Sequence, residues 1–261
     1  DSADAGHLAR ELARAVRHNA EFRRGEREIE APPRTSKYGL VMWSDQDIPG
    51  EEYEYLIEDL IPEREAVLII GETGSGKSFF TIDMALAAAR GAPFFGRRVH
   101  RPFGVVYCAY ESGKGYKNRL KAYRMRQGLD INELPFAVLT SPVDLWSDKV
   151  NTPNLISEIL WIAQTKFKGI PLGAVVIDTH NMATPGASEV DSKEVSIIRD
   201  RYRQIMAATG AGIWIVGHKN AAGKHRGNEQ LYKNIETAID NAAQTEVVDK
   251  VVTTKRDAPG R

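Results

Sequence analysis

From residue 66 onward, short apolar runs alternate with stretches whose apolar residues recur at helical spacing. Residues 66–70 are fully apolar, the pattern of a strand buried on both faces. Residues 79–90 place Phe80, Ile82, Met84, Ala85 and Ala88 at helical spacing, and Gly91 stops that helix. Residues 104–110 repeat the buried-strand pattern, and 114–127 predict a basic helix closed by Gly128. A strand is expected over 136–140. Thr152-Pro153 predicts a helix start, with Thr152 as N-cap and Pro153 first inside, running to Lys168. Residues 173–177 predict a further strong strand, 191–208 a helix ended by Gly210, and 211–217 the next strand. One or two more strands are expected within 235–255. This alternation implies a mostly parallel, twisted α/β sheet with helices on both faces.

The chain before residue 66 reads differently. Residues 1–30 predict a charged helix with a narrow stripe of Leu8, Leu12 and Val16. That stripe could dock on the main domain, on a neighbouring subunit or on nothing. Residues 31–36, with Pro32 and Pro33, read as an extended linker. The expected organisation is therefore an N-terminal helix and linker over 1–36 and one large α/β domain over 37–261. A short acidic helix is expected around residues 51–60.

Composition narrows the class without deciding it. The 261 residues suffice for one large α/β domain, and 42% hydrophobic with 27% charged residues is ordinary for a globular chain. The net charge is +0, so contact with nucleic acid requires a local basic patch. One cysteine, Cys108, leaves no intrachain disulfide and no cysteine-rich zinc site. No apolar run has the length of a membrane span. These features suit a cytoplasmic protein. A start at Asp1 and an end in a basic segment at Arg261 suggest a fragment of a longer protein.

The strongest chemical signal is Gly71-Glu72-Thr73-Gly74-Ser75-Gly76-Lys77-Ser78, which fits G-x-x-x-x-G-K-[ST] at every defined position. A buried strand precedes it and a helix follows, beginning with Phe79. The glycines let the backbone wrap phosphates, and successive N–H groups and the helix N-terminus point positive dipole at them. Lys77 would reach the terminal phosphate oxygens, and the Ser78 hydroxyl would be a Mg²⁺ ligand. ATP and Mg²⁺ are the cofactors implied.

Two acids stand at strand ends. The run Val175-Val176-Ile177 leads into Asp178, a carboxylate placed to bind Mg²⁺. Thr179 follows it, so the group that orients the attacking water is expected elsewhere. The run from Val105 to Tyr110 leads into Glu111, the candidate general base.

This order of motifs resembles the RecA-like ATPases, particularly the RepA-type branch beside the DnaB-type hexameric replicative helicases. The resemblance runs from about Tyr55 to the C-terminus. It implies a RecA-like P-loop NTPase fold, Glu111 as catalytic base and Asp178 as the metal carboxylate. It implies that His218, after Ile213-Trp214-Ile215-Val216-Gly217, senses the γ-phosphate; a structural histidine is the plainer alternative. It further implies that Arg226, before Gly227, and the pair Lys255-Arg256 reach a neighbouring subunit's ATP site. An arginine supplied in this way contributes roughly 10³–10⁵ in rate. The sequence departs from the RepA-type pattern at Lys219, where a second His is usual, and at Asn228-Glu229, where small residues follow the Arg-Gly.

In this fold the loops over 181–192 and 219–230 face a ring channel. The second carries Lys219 and Lys224 as candidate phosphate contacts, with no aromatic between them for base stacking. The implied function is a motor that drives single-stranded DNA through a homo-oligomeric, hexameric ring. The alternative is a non-translocating, ATP-dependent single-strand binding or recombination-mediator protein. A small-molecule kinase is disfavoured, because no arginine-rich lid is found.

Overall fold

The computed structural model describes residues 40, 42–43, 54–111, 115–128, 134–147, 149–188, 191–218, 235, 237–243 and 250–253. The chain divides into two compact units, Asp1–Gly50 and Glu51–Arg261. The N-terminal helix and linker expected over 1–36 lie outside the described residues. The second unit contains all the described elements.

Its elements are β1 (Tyr55–Ile57), β2 (Ile61–Pro62), β3 (Ala66–Gly71), α1 (Lys77–Arg90), β4 (Gly104–Ala109), α2 (Gly115–Gln127) and β5 (Phe136–Leu139). There follow α3 (Asn151–Lys166), β6 (Leu172–Asp178), α4 (His180–Ala183), α5 (Ser192–Thr209), β7 (Gly212–His218), β8 (Thr237–Ala243) and β9 (Lys250–Thr253). Seven strands form one sheet in the order β5-β4-β6-β7-β3-β8-β9. Neighbours run parallel except β8 and β9, which are antiparallel. The fold is the expected α/β architecture, a mostly parallel sheet with helices on both faces.

Alternation along each strand divides the core in two. Val67, Ile69, Val105, Tyr107, Val176 and Trp214 pack with α1 on one face. Leu68, Ile70, Val106, Cys108, Ile177 and Ile215 pack with α3 and α5 on the other. Burying both faces explains why these strands read as continuous apolar runs. Cys108 is one of those buried residues, and burial pushes its thiol up to about 12. Glycines end α1 and α5 in the left-handed conformation: Gly91 has φ 65° and Gly210 φ 68°. Asp191 caps α5, accepting from the N–H groups of Lys193 at 2.8 Å and Glu194 at 3.1 Å.

Three local expectations are corrected. The acidic helix around 51–60 is not found in its described part. Tyr55–Ile57 pairs antiparallel with Ile61–Pro62 instead. Leu56, Ile57, Leu60 and Ile61 are all buried, and two short strands joined by a turn bury them where an acidic helix would leave charges facing the core. The helix predicted at Thr152-Pro153 starts earlier, at Asn151, with Val150 as N-cap, and ends at Lys166. Thr152 is inside it and fully buried. Pro153 still lies within the first turn, where its missing N–H has no intrahelical partner to lose. The loop expected over 181–192 opens with α4, one turn long, before the chain leaves regular structure.

Among the described residues no helix is long and apolar enough to cross a membrane.

Candidate active site

The phosphate-loop residues run from the end of β3 into α1. Gly74 and Gly76 adopt φ of 81° and 85°. A Cβ on Gly74 would meet nothing within 4 Å, so the backbone angle, not space, calls for glycine there. The turn is closed by Ser75 N–H donating to the Glu72 carbonyl at 3.2 Å, and α1 opens with Phe80 N–H on the Gly76 carbonyl at 3.0 Å. Thr73 lies in the same turn, and no side-chain cap covers the helix N-terminus.

Lys77 is buried, and its Nζ donates to the carbonyls of Gly71 at 3.0 Å and Glu72 at 2.6 Å. Burial lowers its pKa, and the negative charges of Glu111, Asp178 and Glu72 work against that shift. The ammonium is thus folded back on its own loop, close enough to three carboxylates to feel each of them.

Asp178 closes β6 and is only 3% exposed. Each of its oxygens accepts one hydrogen bond: Oδ1 from Ser78 Oγ at 3.4 Å and Oδ2 from Tyr107 Oη at 2.5 Å. Burial raises its pKa, Tyr107 and Ser78 hydrogen bonds lower it, Glu111 raises it and Arg119 lowers it. A serine hydroxyl facing a carboxylate oxygen is a pair of hard oxygen donors, which fits Mg²⁺. Among the described residues, no group of three or more His, Cys, Asp or Glu could hold a metal. A cation here would therefore take its remaining oxygens from nucleotide and water, as Mg²⁺ usually does.

Glu111 follows Tyr110 just past the end of β4, exposed to solvent. The Tyr110 N–H donates to the Asp178 carbonyl at 2.7 Å, tying the end of β4 to that acid. His218 ends β7 and lies in register beside Gly71, the first residue of the phosphate loop. Strand order creates this juxtaposition, because β7 lies between β3 and β6. Lys77, Ser78, Glu111, Asp178 and His218 are thus all carried by one edge of the sheet. Lys219, Lys224, Arg226, Lys255 and Arg256 lie outside the described residues.

Two site residues escaped the sequence reading. Tyr107 looks like one more apolar residue within a buried strand. Arg119 looks like one of several surface cations on α2. Yet its guanidinium lies 5.3 Å from the ring centroid of half-exposed Phe79, and its charge acts on both Asp178 and Tyr107. The residue type alone carries no signal for either; only the i-to-j distance across the fold does.

Comparison with known proteins follows the same lines. No curated protein matches the chain at a significant level. Among solved structures, a KaiC-like protein from the hyperthermophilic archaeon Pyrococcus horikoshii OT3 aligns over 86% of this chain and 88% of that one, with 18% identity and a TM-score of 0.45. A family model described as an AAA domain matches residues 32–224, well over half of the sequence and the whole span from the phosphate loop to His218. With its phosphate loop and mostly parallel sheet, the chain belongs to this AAA-domain family of P-loop ATPases.

Proposed function

We propose that the chain is the ATP-hydrolysing core of a ring-forming motor that moves single-stranded DNA, of the RepA and DnaB kind. One observation carries the reading of the chemistry. Asp178 is buried at a strand end with Ser78 on one oxygen, while Lys77 and Glu111 share its electrostatic field. Nucleotide would bind along residues 71–79, with Ser78 and Asp178 holding Mg²⁺. The bound metal would neutralise charge on the terminal phosphates.

The chain's own residues do the rest. Backbone N–H groups of the loop cradle the phosphates. The Lys77 ammonium leaves its two carbonyls for phosphate oxygens, which offset its burial better than neutral acceptors do. Glu111, solvent-facing and negatively charged, accepts a proton from the attacking water. His218, beside Gly71, responds to the terminal phosphate. Arg226 and Arg256, with Lys255, supply positive charge to the neighbouring subunit's site. Lys219 and Lys224 hold the DNA backbone by charge alone.

The test is steady-state ATP turnover with and without single-stranded DNA, for the parent, Glu111→Gln and Arg226→Ala. The reading expects DNA to stimulate the parent. It expects Glu111→Gln to bind ATP without turning it over, and Arg226→Ala to lose turnover when assembled. Turnover indifferent to DNA would sink the motor reading. ATP-dependent DNA binding without strand separation would favour a non-translocating binding protein instead.

A further inference from the structure

We propose that Tyr107 is a positioning residue for the metal-binding carboxylate, holding Asp178 by its far oxygen so that the near one stays directed at Ser78 and the cation. The inference rests on the ATP·Mg²⁺ reading of the site.

Tyr107 lies mid-strand in β4, in register with Val176 of β6, while Ala109 is in register with Asp178. Its hydroxyl therefore reaches two residues up the sheet, about 7 Å at the usual strand rise, to meet the acid. A tyrosine is long enough for that span. The ring is fully buried, and Phe136 packs against it with centroids 6.1 Å apart, so the hydroxyl has little freedom to wander.

Phenylalanine would fill this core position as well. A buried hydroxyl is costly unless it is hydrogen-bonded, and this one bonds to Asp178. The two bonds on the carboxylate are unequal: 2.5 Å from Tyr107 and 3.4 Å from Ser78. They also have different fates. The Ser78 oxygen is the one that the proposed cation needs, so its bond to Asp178 must slacken or rearrange on loading. Tyr107 approaches the opposite oxygen, clear of the Ser78 side, and can keep its bond throughout. The Tyr110 N–H on the Asp178 carbonyl anchors the same residue by its backbone. β4 thus grips Asp178 at both ends, at its backbone carbonyl through the Tyr110 N–H and at Oδ2 of its carboxylate through the Tyr107 hydroxyl.

Outer-shell partners of this kind typically change metal affinity or activity by about 10–100-fold when removed. The experiment uses Tyr107→Phe, which deletes one oxygen and keeps the packing. Calorimetry would follow binding of a non-hydrolysable ATP analogue at a series of Mg²⁺ concentrations and in chelator, beside thermal melting of the nucleotide-free protein. The expected result is a Mg²⁺ requirement raised about tenfold or more, with binding in chelator unchanged. The same substitution placed in Asp178→Asn should add no further loss.

A Phe variant with the parent's Mg²⁺ requirement overturns the role of Tyr107. So does an equal weakening with and without Mg²⁺, or an effect that persists undiminished in Asp178→Asn. Failure of the underlying reading looks different: the parent itself would then bind the analogue without regard to Mg²⁺, and both proposals would fall together.

Discussion

At the sheet edge that carries the phosphate loop, the chain buries Lys77, Asp178, Thr179 and His180. At the opposite edge it buries Leu56, Ile57, Phe103 and Phe167. There, glycines admit the bulky groups. A Cβ on Gly104 would strike the Phe167 ring, and one on Gly173 would come within 2.8 Å of Phe103 Cβ. The first edge carries desolvated polar and charged groups, each needing a partner, and the second carries dense apolar packing. The contrast suggests a division of labour: one edge spends stability on chemistry and the other supplies it.

The comparison breaks most visibly at Lys77. Lys77→Ala should cut ATP turnover by roughly 10²-fold or more, because in the proposed mechanism its charge meets the transferring phosphoryl group. It should leave the melting temperature nearly unchanged. A large loss of stability would place Lys77 in the scaffold, not the chemistry.

Asp178→Asn sharpens the contrast, since rate and stability should move in opposite directions. Burial raises the folded-state pKa of Asp178, so the folded protein binds its proton more readily than the unfolded chain does. Stability then falls as pH rises from the ordinary carboxylate range through the raised value, and the ionised acid is a burden at neutral pH. The amide has no such burden. Turnover should fall sharply while the metal-free protein melts higher at pH 7 than the parent. A variant that melts lower at pH 7 would show that the hydrogen bonds of the carboxylate outweigh its desolvation.

At the other edge, Gly104→Val should do the reverse. Overpacking against Phe167 costs about 1–3 kcal/mol, which lowers the melting temperature by roughly 2–12 °C. Turnover measured well below that temperature should match the parent. A rate loss there would mean that the two edges are coupled.

The smallest effect concerns His180, buried after Asp178 with its Nδ1 2.7 Å from the Tyr202 hydroxyl. Burial lowers its pKa from 6.5 to about 4. Between those values the unfolded chain binds the proton and the folded one does not, so stability is lost as pH falls through that window. His180→Gln keeps a hydrogen-bonding group for Tyr202 and should flatten that part of the melting-versus-pH curve. Parallel curves for parent and variant would contradict it.

Much of this architecture is legible in the amino-acid sequence. Strands buried on both faces announce themselves as apolar runs, and Gly91 and Gly210 mark helix ends because few other residues tolerate their backbone angles. Two of the departures from expectation share one cause. Around 51–60 the acidic residues suggested a helix, whereas burial of Leu56, Ile57 and Leu60 decided for a hairpin. Thr152 looked like a cap, whereas the core claimed its side chain. In each case tertiary burial outweighed a local preference.

The amino-acid sequence by itself determined the phosphate loop, because eight consecutive residues carry its glycines, its lysine and its hydroxyl, and backbone geometry is local. It also marked Glu111 and Asp178 as acids at strand ends. Only the tertiary structure decided what those acids meet. Ser78 and Asp178 are 100 residues apart in the chain, and Tyr107 and Asp178 are 71 apart. Their contact depends on β4 and β6 lying side by side and on β7 separating β6 from β3. That order is set by the packing of the whole sheet, which no local stretch of sequence encodes.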